Sequence, residues 1–306
     1  MTRVGVKDLL DAGVHFGHRT QRWNPKMKPF IFEARNGIYV INLEKTAKQL
    51  GDAQDFLRDM SSNGKKVLFV GCKKQAQETI KDLAAQSHSY YVVERWLGGT
   101  LTNLATIRKS VARMRKIDEL EEKGKMKELP KQEVAALRRE NAKLHRNLDG
   151  IKDMEKYPDA IVLVDVPREH IAVAEAKRLR IPLVAIADTN ADIDLVDYPV
   201  VGNDDAIRSI RVILEALNNA VIEGNTVASK RRADQEKAAK KKEAEEAKAK
   251  AAAEAREAEK KEAAKAEAKP AKAKAEQPAA PAEAAPQPAA SAEKPAEAKA
   301  PETATA

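Results

Sequence analysis

The stretch "PDAIVLVDVPREHIAVAEAKRLRIPLVAIADTN", residues 158–190, decides the fold. Two unbroken apolar runs, "DAIVLVDV" (159–166) and "PLVAIAD" (182–188), flank a segment (169–180) whose apolar residues recur at helical spacing. A run that does not alternate is a strand buried on both faces, and a helix between two such strands makes a parallel βαβ unit. The pattern extends upstream. "KKVLFVG" (65–71) reads as a strand. "KKQAQETIKDLAAQ" (73–86) reads as a helix with Ala76, Ile80 and Leu83 on one face. "SYYVVERW" (89–96) reads as the next strand. Downstream come a short strand "PVVG" (199–202) and a helix over 204–223 with the stripe Ile207, Ile210, Leu214, Leu217 and Val221. Gly224 is its expected stop.

Between these units the period changes. Leu104, Ile107, Val111 and Met114, then Val134, Leu137, Asn141, Leu144, Leu148 and Ile151, follow spacings of three and four on either side of Gly124 and Pro130. This predicts two antiparallel helices zipped as a coiled-coil hairpin and inserted between strands. Near the N-terminus, "FIFEARNGIYVIN" (30–42) places Asn36-Gly37 between apolar runs, a β-hairpin signal. From Ser229 the chain is nearly all Ala, Lys, Glu and Arg, and beyond Pro270 it becomes Ala/Pro/Glu/Lys repeats. That composition buries no core, so helix followed by disorder is expected. The predicted organisation has four parts: a basic arm with the first part of an α/β domain (1–103), the hairpin (104–154), the second part of the domain (155–228) and the tail (229–306). The fold class is α/β, a three-layer Rossmann-like domain with a mainly parallel sheet.

The 306 residues carry a formal charge of +8, and its placement matters more than its sum. Residues 1–35 hold seven Lys/Arg against three Asp/Glu, and residues 103–150 hold thirteen against eight. A polyanion would meet those two places first. Cys72 is the one cysteine, so no internal disulfide forms and a reducing compartment is expected. "MTRVGVKDLL" lacks the apolar core of a signal peptide, and no apolar run reaches the roughly 20 residues of a membrane span. These features predict a cytoplasmic protein with no membrane partner.

Catalytic and cofactor motifs fare poorly. The strand-to-helix turns "VGCKKQ", "DVPREH" and "ADTNAD" contain neither G-x-G-x-x-G nor a P-loop, so the sheet lacks a phosphate cradle and no cofactor is expected. The run Asp188, Asn190, Asp192, Asp194 resembles the start of a calcium loop. Ile193 and Pro199 then stand where glycine and glutamate are required, and a polar loop is the better reading. His15 and His18 lack the further ligands of a structural zinc site and read as hydrogen-bonding or stacking groups. Cys72, beside Lys73 and Lys74, reads as a small residue ending a strand rather than a nucleophile. An enzyme would have to use the strand-end carboxylates Asp165 and Asp188, with a small molecule or metal in that crevice.

The segment "HFGHRTQRWNPKMKPFIF" (15–32) has no acidic residue. Arg19, Arg22, Lys26 and Lys28 supply charge for phosphates. Phe16, Trp23 and Phe30 supply flat faces for bases or packing anchors. Pro25 and Pro29 stiffen the path, which lowers the entropy lost on docking. "ERWLGGTLTN" (94–103) repeats the theme with Arg95, Trp96, Gly98, Gly99, Thr100 and Asn103, and Arg108 follows on the first hairpin helix.

Four stretches, "LLDAGVHFGHRTQRWNPKMKPFIFEARNGIYVINLEKT", "FVGCKKQAQ", "RWLGGTLTN" and residues 158–190, resemble the bacterial small-subunit ribosomal protein S-two family in order and spacing, over about residues 1–226. Cys72 departs from the small hydroxyl residue expected at its position, and the tail lies outside the pattern. The resemblance implies a three-layer α/β domain with a protruding coiled-coil hairpin, no catalysis, and a place in the small ribosomal subunit between head and body. Its implied partners are small-subunit rRNA and neighbouring ribosomal proteins, including retention of the mRNA-binding protein S-one, with no homo-oligomer. The family's RNA-facing arm maps onto His15, His18, Arg19, Arg22, Trp23, Asn24, Pro25 and Lys26. Its second motif maps onto Trp96, Gly98, Gly99, Thr100 and Asn103.

Overall fold

A computed structural model describes residues 4–235 and 237; the expected tail lies, from residue 238 onward, outside the described residues. Its centre is a five-stranded parallel sheet of β4 (Val67–Val70), β5 (Tyr90–Val92), β6 (Ala160–Val164), β7 (Leu183–Ala187) and β8 (Tyr198–Val201), in the order β5-β4-β6-β7-β8. Every neighbouring pair is parallel, with Val67 opposite Ala160 and Ile161 opposite Leu183. This is the 2-1-3-4-5 order of a doubly wound α/β fold, and its topological switch point falls between β4 and β6. The switch point is where such sheets present a crevice beyond the carboxyl ends of the strands.

Alternate strand residues build two separate cores. Val67, Phe69, Val162, Val164, Val184, Ile186 and Val200 face one layer. That layer is made by α1 (Val6–Asp11), α2 (Leu43–Ser62), α3 (Lys74–Ser87) and α7 (207–235). Leu68, Val70, Ile161, Leu163, Leu183 and Ala185 face α6 (His170–Leu179) and the base of α4 (Leu104–Glu122) and α5 (Lys131–Leu148). The sheet between two helical layers is the Rossmann-like architecture expected.

α4 and α5 form a helical hairpin, with Asp118 facing Asn141 and His145 while Glu121 faces Arg138. A second sheet of β1 (Phe16–Arg19), β3 (Ile38–Ile41) and β2 (Ile31–Arg35) is antiparallel. Asn36 and Gly37 close its β2–β3 hairpin at φ 51° and 75°, both in the left-handed region that such turns require.

Two expectations for α7 need correction. The helix does not stop at Gly224; it runs on to residue 235. A Cβ at position 224 would lie 2.5 Å from Ser61 Cβ and 2.6 Å from Arg58 O, so the glycine is there to let α7 pass close to α2. Ile207, expected in the buried stripe, is 59% exposed, while Ile210, Leu214, Leu217 and Val221 are buried. The backbone turns into the helix only at 207, so Ile207 lies at its open end, ahead of the buried stripe that begins at Ile210.

The sequence reading also left α2 unassigned. Asn42 caps it by accepting from the amides of Glu44 and Lys45, and Leu43, Thr46, Leu50, Ala53, Leu57 and Met60 are its buried face. Among the described residues no helix is long and apolar enough to cross a membrane.

Candidate nucleic-acid interface

The arm is fixed onto the carboxyl end of β7. The amide of His18 donates to Thr189 Oγ1 at 2.9 Å, and the amide of Asn24 donates to Thr189 O at 2.8 Å. Gly17 permits this approach, since a Cβ there would stand 2.7 Å from Thr189 Cγ2. Asn24 then caps a 3-10 turn, Pro25–Phe30, by accepting from the Lys26 amide, with Pro25 at its first position. Met27, at the centre of that turn, is fully buried in a small core with Ile41 and Val201, and Phe30 packs against it.

Anchoring sorts the candidate residues. Arg19, Arg22 and Lys28 are exposed, and none forms a salt bridge among the described residues. Lys26 is also exposed, but its ammonium lies 2.9 Å from Asp192 Oδ1 and 2.6 Å from Asp194 Oδ2. Those pairs hold Lys26 above the ordinary lysine range. Trp23 is half-buried against Tyr39, with ring centroids 5.2 Å apart. His15 is half-buried beside Phe16, and burial lowers its pKa. Phe16 at 51% and Phe32 at 69% exposure are the rings most open to solvent on this sheet.

His18 turns inward. Its Nδ1 lies 2.8 Å from Asp188 Oδ2, and this partnership raises the pKa of the imidazole. Asp188 belongs to a cluster at the switch point. Lys73, opening α3, lies 2.8 Å from Asp204 Oδ1, 2.6 Å from Asp205 Oδ1 and 3.5 Å from Asp165 Oδ2. Burial works against the Lys73 charge, but the hydrogen bonds to Asp204 and Asp205 outweigh it, and its pKa is raised. Burial, followed by the neighbouring carboxylates Asp188 and Asp165, pushes Asp204 up to about 7. Asp165 sits at φ 69°, a left-handed conformation that costs energy for a non-glycine residue and recurs at functional sites. Where a nucleotide-binding sheet would offer glycine amides to a phosphate, this one offers carboxylates, which repel it. Cys72 is buried next to the cluster, and burial followed by the charge of Glu169 pushes its thiol up to about 12, far from nucleophilic.

The second motif is organised by a residue the sequence reading missed. Glu175, on α6, accepts from Trp96 Nε1 at 3.1 Å and from the amides of Gly99, Leu101 and Thr102 at 2.7, 2.9 and 2.9 Å. Burial alone would raise its pKa; the donors of Thr102, Gly99, Trp96 and Leu101 hold it below the ordinary range instead. Trp96 is therefore a buried anchor, and Thr100 is buried with its hydroxyl on Leu97 O. Arg95, Gly98, Asn103 and Arg108 face solvent around it. The one available signal was an acidic residue among the apolar positions of α6. The arm docks on Thr189 just beyond β7 and the second motif follows the carboxyl end of β5, yet no hydrogen bond, ion pair or ring contact joins them among the described residues.

Strand order, double-sided helix cover and a helical insertion define a Rossmann-like α/β protein whose crevice is lined by carboxylates and one lysine. Residues 9–224 match the family model described as ribosomal protein S2. Over 224 residues the chain is 53% identical to the small ribosomal subunit protein uS2 of Bdellovibrio bacteriovorus, covering 73% of this chain and 72% of that relative. The chain belongs to the ribosomal protein S2 family, which is a family of structural rather than catalytic proteins.

Proposed function

We propose that the protein is a structural constituent of the small ribosomal subunit in the cytoplasm, bound as a monomer to small-subunit rRNA between head and body. The observation that carries this reading is the arm. Arg19, Arg22 and Lys28 stand exposed, without ion partners among the described residues, on a backbone fastened at Thr189, with the open rings of Phe16 and Phe32 beside them. A cationic surface held rigid before it meets its ligand loses little entropy on binding. Arg95, Asn103 and Arg108 form a second exposed polar patch that would meet the same RNA. The hairpin of α4 and α5, packed as a coiled coil, reaches neighbouring ribosomal proteins, and the protein helps to retain protein S-one.

Binding to small-subunit rRNA, measured from low to high salt, tests the central claim. Each neutralised phosphate contributes about −0.7 to −0.9 to the slope of log affinity against log salt. A triple variant with Arg19, Arg22 and Lys28 replaced by alanine should bind more weakly with a flatter slope. An unchanged slope and affinity would remove the arm from the interface. Subunits depleted of this chain should carry less protein S-one, and an unchanged content would remove that part of the reading.

A further inference from the structure

We propose that a cationic cavity at the amino ends of the sheet strands grips the phosphate backbone of a second rRNA segment, so that the protein holds RNA at both poles of its sheet. The inference rests on the rRNA binding proposed above and adds a surface to it.

Three elements build the cavity. Gly64 turns the chain from α2 into β4 at φ 73°, His88 ends α3 at φ 52°, and α7 passes beside both. Lys66 Nζ donates to His88 O at 3.2 Å, and Asn225 Nδ2 donates to Ser87 O at 2.9 Å, which ties the elements together. The space they frame is about 410 Å3. Lys66, His88, Asn225 and Arg232 ring it, glycine, alanine and serine complete the lining, and no carboxylate is among these residues. A Cβ at position 64 would stand 2.5 Å from a terminal nitrogen of Arg232. The guanidinium therefore lies across the turn from α2 to β4, where glycine leaves it room.

These cations lack acidic partners. Arg113, Arg138 and Arg211, also exposed, face carboxylates at 3.0, 3.1 and 2.7 Å. Lys66 and Arg232 form no ion pair among the described residues, and Arg232 makes no hydrogen bond there either. Two unneutralised cations in an acid-free recess attract a polyanion, and a guanidinium can fork onto two phosphate oxygens. The His88 ring and the Asn225 amide suit a base or ribose. An acidic protein segment would need an apolar anchor, and the lining offers only alanine methyls.

Topology makes this contact separate from the arm. All five strands are parallel, so every strand enters at this pole and leaves at the other, where the arm docks on Thr189. The four residues of β4 alone span about 13 Å. Two surfaces at opposite ends of the sheet take separate RNA segments.

Hydroxyl-radical footprinting of small-subunit rRNA bound to the full-length protein, with affinity read from low to high salt, tests this. Lys66→Ala combined with Arg232→Gln should flatten the salt slope by about 1.4–1.8, two phosphates' share. It should also lose protection at nucleotides that the Arg19, Arg22 and Lys28 alanine variant keeps. Arg232→Gln alone removes no bond within the described fold, so it should melt as wild type does and still flatten the slope by about 0.7–0.9. Arg232→Lys should keep the wild-type slope. An unchanged slope and footprint, or loss of the same nucleotides from the cavity and arm variants, overturns the proposal. A weakened cavity variant beside an unaffected arm variant sinks the arm and upholds this site; the reverse sinks this site and leaves the arm.

Discussion

Glu175 holds Trp96: the indole Nε1 of the "RWLGGTLTN" motif donates to Glu175 Oε1 at 3.1 Å, 79 residues along the chain. The same oxygen accepts from the Gly99 amide, while Oε2 accepts from the amides of Leu101 and Thr102 and from the Thr102 hydroxyl. A loop without secondary structure thereby has its inward backbone donors satisfied by one carboxylate. Its outward side chains, Arg95 and Asn103, are presented on a fixed frame.

Replacing Glu175 by Gln tests that frame. The substitution keeps size and one acceptor, but places an NH2 group against amides that can only donate. Buried donors left unpaired cost about 1–3 kcal/mol each, so Glu175→Gln should destabilise the protein by about 2–3 kcal/mol. Urea unfolding measures it, and a loss within error of zero would show that the loop supports itself.

The same residue makes stability pH-dependent in a definite direction. Its folded pKa lies below the ordinary glutamate value, so its contribution is complete above that ordinary value. It is lost as pH falls through the depressed folded value. Asp204, pushed up to about 7, works in the opposite sense and disfavours the fold as pH rises through that value. The wild-type curve mixes the two, but the difference between wild type and Glu175→Gln isolates the first. That difference should be constant above about pH 5 and shrink as the solution is acidified. A constant difference down to pH 3 would contradict the depressed pKa.

Most of the sheet was legible because parallel strands buried on both faces leave unbroken apolar runs, as in 160–164 and 183–187. α2 was overlooked although its buried face keeps helical spacing. Gln54 and Thr46 interrupt that face, and both are buried by donating to backbone carbonyls, of Ala216 and Val201, that only the folded chain brings near. Asp204 and Lys73 were invisible for the same reason: their meaning depends on partners more than 100 residues away. The basic character of the arm was plain, whereas the division of labour within it was not. Nothing in "RWNPKMK" says that Lys26 pairs with Asp192 while Arg22 has no ion partner among the described residues.

Gly224→Ala gives a sign test of the α2–α7 contact. In an exposed helix interior this change stabilises by about 1 kcal/mol. Here the new methyl meets Ser61 Cβ, Arg58 O and Ser62 N at 2.5, 2.6 and 2.9 Å, next to the Arg58–Glu223 ion pair. Overpacking costs about 1–3 kcal/mol, so the net effect should be a lower melting temperature. A rise would mean that α7 can slide away from α2 without penalty.

Lys26 and Arg22 are both exposed cations on the arm, and the structure separates them. Arg22 has no acidic partner among the described residues, so its full charge is available to a phosphate. Lys26 already neutralises Asp192 and Asp194, and would have to leave them to bind RNA. Arg22→Ala should therefore flatten the salt dependence of rRNA binding by about one phosphate's share, 0.7–0.9 in the slope. Lys26→Ala should change the slope less, but release two carboxylates beside the interface and weaken affinity through repulsion. The triple variant Lys26→Ala with Asp192→Asn and Asp194→Asn should recover that affinity while keeping the wild-type slope. If Lys26→Ala alone flattens the slope as much as Arg22→Ala, the ammonium swings from the acidic loop to the RNA, and the pairing with Asp192 and Asp194 belongs to the free protein only.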